Sequence, residues 1–144
     1  MLRGVKQPYR ATPLFEVCVH GRPVSAQSAN RVALRNWKQV VAESVRRAWV
    51  WNGPLSDDVS LDIVYYAEGV SGDLDNLLKP IQDALQGIAY NNDKQVRELK
   101  GARRDIDERY KVRFMPVVLG AAFADGRPFI HIRIWRSLET RELS

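Results

Sequence analysis

The chain has 144 residues and 45% of them are hydrophobic, which is enough for one domain around a single core and argues against wholesale disorder. The formal net charge is +5, but it is unevenly spread: residues 1–50 carry +7, residues 51–100 carry −5 and residues 101–144 carry +3. An acidic middle between basic ends suits a divalent cation and a polyanionic partner, although charge alone fits an ordinary, slightly basic protein equally well.

No apolar run approaches the ~20 residues that cross a membrane, and the basic positions near the start precede no apolar segment of the signal-peptide kind. We therefore expect a cytoplasmic protein with no membrane partner. Cys18 is the single cysteine, which excludes an internal disulfide. Because it lies in a predicted strand, we interpret it as a small core residue rather than a nucleophile.

Strand and helix signals alternate along the chain between two polar ends. Residues 1–13 are expected to form a loose arm and residues 138–144 a tail, which leaves 14–137 as one folded domain. The order β-α-β-α-β-α-β predicts an α+β fold, a single domain with a mixed sheet of about four strands and two to three packed helices. The predicted strands cover 14–20, 58–67, 95–104 and 129–135, and the predicted helices cover 31–50, 74–87 and 116–124.

The first predicted helix is amphipathic. Asn30 is placed to cap its N-terminus, and its apolar positions recur at helical spacing. Its opposite face is basic and includes Arg31, Arg35 and Lys38. These cations and Lys94 are candidate contacts to DNA phosphates, while a solvated helix face explains the helical ones equally well.

The second predicted helix begins beside two aspartates. Asp73 and Asp75 are two positions apart at the junction between a loop and the helix, so in extended backbone their side chains point the same way. Two such carboxylates repel each other unless a cation lies between them, and Mg²⁺ needs few protein oxygens because it keeps several waters. Asp93 follows the same helix, and a chain reversal could return it to the group.

Lys79 is four residues after Asp75 and therefore lies on the same helical face. Its ammonium is suited to stabilise the charge that develops on a phosphate during hydrolysis. Pro80 lies early in the helix, where some distortion is expected. Each charged residue also has a structural interpretation: a helix cap for either aspartate of the pair, an Asp75–Lys79 ion pair, or a turn at Asp93. Spacing alone favours the structural interpretation.

The residue pattern is more specific than the spacing. The sequence Asp-Leu-Asp-Asn-x-x-Lys-x-x-x-Asp-Ala-Leu, followed by a short loop and Asn-Asp-x-Gln-Val, runs from Asp73 to Val96 without interruption. This pattern resembles the signature of the RusA-type Holliday-junction resolvases, the crossover-junction endodeoxyribonucleases. The segment Gly21–Gln27 is similar to the opening of that family, and the resemblance covers about residues 15–136.

The resemblance implies a small homodimer that binds four-way DNA junctions and cuts them symmetrically with Mg²⁺, for which Mn²⁺ substitutes, and without a small-molecule cofactor. The positions that match the family's catalytic, metal-binding aspartates are Asp73, Asp75 and Asp93, and Lys79 matches its important lysine. Asn76 also falls on the motif, where its natural task is to support a carboxylate that binds the metal.

The chain also departs from the family pattern. A basic run often precedes the family's first aspartate, whereas Glu68–Gly72 contains no basic residue, so DNA contacts must come from elsewhere. Arg103 and Arg104, near the end of a predicted strand, either face DNA or guard a sheet edge. Asp83 matches the motif, and we interpret it as a structural partner of Lys79 at i+4.

The histidines and tryptophans are interpreted as structural. His20 and His131 lie far apart in sequence and lack the spacing of metal ligands. The apolar segment 115–124 is expected to be buried at a dimer interface. Core or dimer contacts, rather than base stacking, are expected for Trp37, Trp49 and Trp51.

The leading hypothesis is therefore metal-dependent phosphodiester hydrolysis on branched DNA, serving recombination and repair. Two alternatives stay open. One is an architectural protein that binds junctions without cutting them, and the other is a nuclease of the same fold that acts on different branched or flapped DNA.

Overall fold

A computed structural model describes residues 12–69, 72–107 and 115–137. Most of the predicted N-terminal arm and the whole predicted C-terminal tail lie outside these described residues. Within them the elements follow the predicted order. The strands are β1 (Phe15–His20), β2 (Val59–Ala67), β3 (Val96–Asp105) and β4 (Phe129–Arg136), and the helices are α1 (Arg31–Ala48), α2 (Leu74–Leu85) and α3 (Val117–Asp125).

The four strands form one mixed sheet in the order β1-β4-β2-β3. Strand β4 is antiparallel to both of its neighbours, and β2 is parallel to β3. Strands β1, β2 and β3 therefore all point the same way, and each parallel return needs a crossover. Helix α1 makes the crossover from β1 to β2, and α2 makes the one from β2 to β3.

One face of the sheet is apolar and carries α1 and α2. The pairing register places Val17, Ile132 and Ile63 side by side in one row, which ends at Gly101 on the edge strand β3. The first three side chains are buried, and Leu78 of α2 occupies the space beside Gly101 that a side chain there would need. The alternation of inward and outward residues therefore fixes which face the crossover helices cover.

The other face is more polar and carries α3 at one end. Leu119 and Ala122 of α3 pack on Tyr66 and Phe129 of the sheet, forming a second, smaller apolar cluster. Beside that cluster Cys18 is partly buried, and burial raises the pKa of its thiol to about 12, which fits a core residue and not a nucleophile.

Local signals set the helix boundaries. The side chain of Asn30 accepts a hydrogen bond from the Ala33 amide at 3.0 Å, which confirms the predicted cap of α1. Helix α2 ends at Leu85, two residues before the predicted end, and Gly87 adopts a φ of 90° that favours glycine in the turn. No helix among the described residues has the length and apolarity to cross a membrane.

The structural interpretation is confirmed for His131 and for two of the three tryptophans. His131 is buried and its Nε2 lies 2.6 Å from Glu16 Oε2, while Trp37 is buried in the main core. Trp49 packs on Phe15 with a ring separation of 4.8 Å. Trp51 differs, because its ring is 43% exposed and its Nε1 donates to the Leu14 carbonyl.

Candidate active site

The three parallel strands end at one edge of the sheet, which we call the carboxyl edge. Because α1 and α2 follow β1 and β2 directly, both helices begin at this edge. Ligand sites of sheets with parallel strands form outside the carboxyl ends of the strands. The fold therefore places Asp73 and Asp75, at the start of α2, where such a site is expected.

Neither aspartate of this pair is used to hold the fold. Asp73 occupies the N-cap position of α2, yet its side chain makes no capping hydrogen bond. Asp75 lies in the first helical turn, and both residues are exposed. Among the described residues neither carboxylate has an ion pair, whereas Asp57 and Asp125 are each bound to an arginine. The capping and Asp75–Lys79 interpretations are thus not what the structure shows.

Pro80 ties a loop to the start of this helix. Proline has no amide hydrogen, so the carbonyl of Asn76, four residues earlier, receives no helical hydrogen bond from it. The amide of Ala26 donates to that carbonyl at 2.9 Å. The predicted distortion at Pro80 leaves α2 continuous but frees an acceptor, and this acceptor fixes the loop after β1 beside the aspartate pair.

Two arginines from other elements lie next to the pair. Arg103 of β3 donates through Nη1 to the carbonyl of Gly72, the residue directly before Asp73. Burial raises the pKa of Tyr65, and the nearby guanidinium of Arg22, in the loop after β1, opposes that rise. Tyr65 and Arg103 are register partners on adjacent strands.

Lys79 pairs with Asp83 rather than with Asp75. Its Nζ lies 2.9 Å from Asp83 Oδ1, which confirms the predicted i+4 pair. The same carboxylate lies 3.8 Å from Nζ of Lys38 on α1. The hydrogen bond that Lys79 donates to Asp83 and the negative charge of Asp83, with a smaller effect from the charge of Asp93, raise the pKa of Lys79, so this side chain stays cationic.

Asp93 lies at the opposite edge of the sheet. It opens a short 3-10 turn that leads into β3, whose first residue Val96 pairs with the first residue of β2. From Val96 to Arg103 the strand rises about 20 Å, and Arg103 is the residue that reaches Gly72. The chain reversal after α2 therefore leads Asp93 to the start of β3, at the opposite end of the parallel strands from Asp73, and its return to the aspartate pair stays a prediction.

A metal site needs several ligand side chains grouped around one point. No three His, Cys, Asp or Glu side chains in 12–69, 72–107 and 115–137 are grouped as metal ligands. Asp73 and Asp75 alone fit Mg²⁺, which is often bound through one or two carboxylates and otherwise by water. Among these described residues, Asp73, Asp75 and Asp93 do not form such a group.

The predicted phosphate contacts are spread over several surroundings. Arg31 donates to the carbonyls of Ala26 and Ser28 and so lies close to the carboxyl edge. Arg35 is exposed on α1, and Lys94 is exposed beside Asp93 at the opposite edge. Lys38 lies 3.8 Å from Asp83. The supporting role of the Asn76 side chain stays a prediction.

Sequence reasoning missed Arg22 and Tyr65 and left Arg103 undecided. Arg22 and Tyr65 are more than forty positions apart, and no periodicity links them. The strand pairing that joins Tyr65 to Arg103 is a property of the sheet and not of either segment. The signal that could have pointed to them was the absence of basic residues from Glu68–Gly72, which required cations from elsewhere.

Comparison with known protein families identifies one match. Residues 20–115, two thirds of the chain, match the family described as Endodeoxyribonuclease RusA. The chain belongs to the RusA family. It is thus an endodeoxyribonuclease of the crossover-junction type, which confirms the resemblance carried by Asp73–Val96. No curated protein matches the chain.

Proposed function

We propose that this RusA-family enzyme resolves four-way DNA junctions by Mg²⁺-dependent hydrolysis, in recombination and repair in the cytoplasm. The observation that carries the proposal is the aspartate pair at the carboxyl edge. Asp73 and Asp75 are exposed at the start of α2, Asp73 makes no capping hydrogen bond, and neither carboxylate has an ion pair among the described residues. Mn²⁺ is expected to replace Mg²⁺ because both accept carboxylate and water oxygens.

Asp73 and Asp75 would hold the metal ion, which when bound polarises the phosphate and makes water a better nucleophile. The ammonium of Lys79 keeps its charge through Asp83 and is available to stabilise the negative charge of the phosphate. Asn76 follows the pair on α2, and we propose that its amide orients one carboxylate.

We further propose that the enzyme is a homodimer and that the partner subunit supplies Asp93 to the aspartate pair. Within one chain the aspartate pair lies at the carboxyl ends of the strands and Asp93 at the start of β3, which supports a site shared between two copies. In a two-fold symmetric dimer each copy gives what it receives, which produces two equal sites for the two strands of a symmetric junction. Val117 and Val118 of α3 are exposed apolar residues and are candidates for the contact between copies.

The experiment is cleavage of a labelled synthetic four-way junction in Mg²⁺ by the wild type and by Asp75→Asn. A flap and a linear duplex of the same sequence are the substrate controls, and Asp107→Asn, an exposed aspartate elsewhere, is the matched variant. We expect the wild type and Asp107→Asn to cut the junction in preference to the other substrates, and Asp75→Asn to be inactive.

Three results would contradict the proposal in distinguishable ways. Binding of the junction without products in Mg²⁺ or Mn²⁺ would indicate an architectural protein. Equal cutting of flap and junction would indicate a nuclease with a different branched substrate. Equal cutting by the wild type and Asp75→Asn would remove the aspartate pair from the chemistry.

A further inference from the structure

We propose that Arg103 and Arg22 form a phosphate-binding site beside the aspartate pair, which replaces the basic residues missing from Glu68–Gly72. The inference rests on the proposed function, because it assigns the DNA-backbone contact of that same site. It concerns two residues outside the motif Asp73–Val96: Arg22 precedes the motif in the chain and Arg103 follows it.

The electrostatic need arises from the local sequence. Residues 68–75 hold Glu68, Asp73 and Asp75 and contain no lysine or arginine. A DNA phosphate that approaches this segment meets three negative charges, and a bound divalent cation offsets only two of them. Cations from neighbouring elements must therefore supply the remaining attraction.

Arg103 is positioned to do so. Its Nη1 donates to the Gly72 carbonyl, so its guanidinium is held directly before Asp73 although it comes from the end of β3. Arginine has five N–H donors, and this contact uses one of them. The exposed remainder of the guanidinium can bind phosphate through two parallel hydrogen bonds.

Arg22 adds a second charge on the same side of the sheet. Its guanidinium lies near the hydroxyl of Tyr65, whose strand neighbour in register is Arg103. The loop that carries Arg22 is held by the bond from Ala26 to the carbonyl of Asn76. Both arginines are thus fixed relative to the start of α2, and neither has a carboxylate partner among the described residues.

Other arginines of the sheet are arranged differently. Arg133 and Arg136 of β4 are paired with Asp62 and Asp57. Arg104 is the residue after Arg103 and is also exposed, but it pairs in register with Tyr66 and so lies on the opposite face of the sheet. Arg104 therefore offers a matched control with the same change of charge, one position away.

The test measures binding of a fluorescent four-way junction by anisotropy in EDTA, where no cutting occurs, over a range of salt concentrations. We expect Arg103→Gln and Arg22→Gln each to weaken binding and to lower the slope of log affinity against log salt by about 0.9, and the double variant by about twice that. Arg104→Gln and the charge-preserving Arg103→Lys should keep the wild-type slope.

Unchanged slopes in Arg103→Gln and Arg22→Gln, or an equal loss in Arg104→Gln, would overturn the inference. Arg22→Gln guards against a purely structural effect, because it leaves the Gly72 contact intact. The outcome is separable from the proposed function. A wild type that cuts junctions while both slopes are unchanged removes only the phosphate site, and a wild type that binds but never cuts removes only the proposed activity.

Discussion

Gly101 is the position where a single methyl group should disturb both the fold and the site. It lies on β3 beneath α2, and its backbone is not in the region that requires glycine. An added Cβ would lie 3.2 Å from Cδ2 and 3.3 Å from Cγ of Leu78, with Cδ1 closer still. Because Leu78 directly precedes Lys79, relief of this clash moves the segment of α2 that carries the lysine.

The magnitude follows from two opposing effects. Overpacking a buried contact costs about 1–3 kcal/mol, whereas alanine in place of glycine within a strand returns about 0.5–1 kcal/mol. Gly101→Ala should therefore lower the free energy of unfolding by about 0–2.5 kcal/mol. Leu78→Ala should cost about 2–5 kcal/mol by itself, because this side chain is buried.

The decisive measurement is a double-mutant cycle in urea. Since Leu78→Ala removes the atoms that the new methyl meets, the double variant should be more stable than the sum of the two losses predicts, by about 0.5–3 kcal/mol. Gly120→Ala is the control, because a methyl there meets only the flexible sulfur of Met115 at 3.4 Å. Additive effects of the two substitutions would refute the packing of α2 on β3.

Further outcomes are expected at three sites. Burial lowers the pKa of His131 below its ordinary 6.5, so the contribution of the neutral ring to stability is complete above about pH 6.5 and is lost as the pH falls through the lower pKa of the folded state. In urea unfolding, the free energy of unfolding of His131→Gln should therefore fall less steeply at acidic pH than that of the wild type. An unchanged pH dependence would contradict this. Asp83→Asn should lower the pKa of Lys79, measured by NMR, and change the free energy of unfolding by less than about 0.5 kcal/mol. A constant pKa would exclude the Lys79–Asp83 ion pair. Ile63→Ala should lower the free energy of unfolding by about 2–5 kcal/mol, whereas Val50→Ala, at an exposed position, should change it by no more than about 0.5 kcal/mol. Equal losses would contradict the assigned core.

Elements that bury one face were predictable from the sequence, because the spacing of their apolar residues shows which side chains are buried. Helix α1 shows this, since Leu34, Trp37, Val41 and Val45 are its buried residues and recur at helical spacing. The errors lie at the ends, where capping and turn geometry decide. Helices α1 and α2 each stop two residues before the predicted limit.

The candidate site was predictable only in part, because its arrangement depends on strand order. The motif identified Asp73 and Asp75 correctly as neighbours at a loop-to-helix junction. It gave no information about the direction of β3, which sends Asp93 to the other edge. Contacts between distant segments, such as Arg22 with Tyr65, follow from the sheet and have no signature in either segment.

The most direct test of the account uses a heterodimer that joins one Asp75→Asn subunit to one Asp93→Asn subunit, purified through two different tags. If Asp93 acts across the interface, one of the two active sites of this heterodimer is intact. The heterodimer should then nick a cruciform plasmid at about half the wild-type rate and produce no linear DNA. A heterodimer of Asp73→Asn with Asp75→Asn, in which both sites are broken, should be inactive. An inactive Asp75→Asn/Asp93→Asn heterodimer beside an active wild type would contradict the shared site.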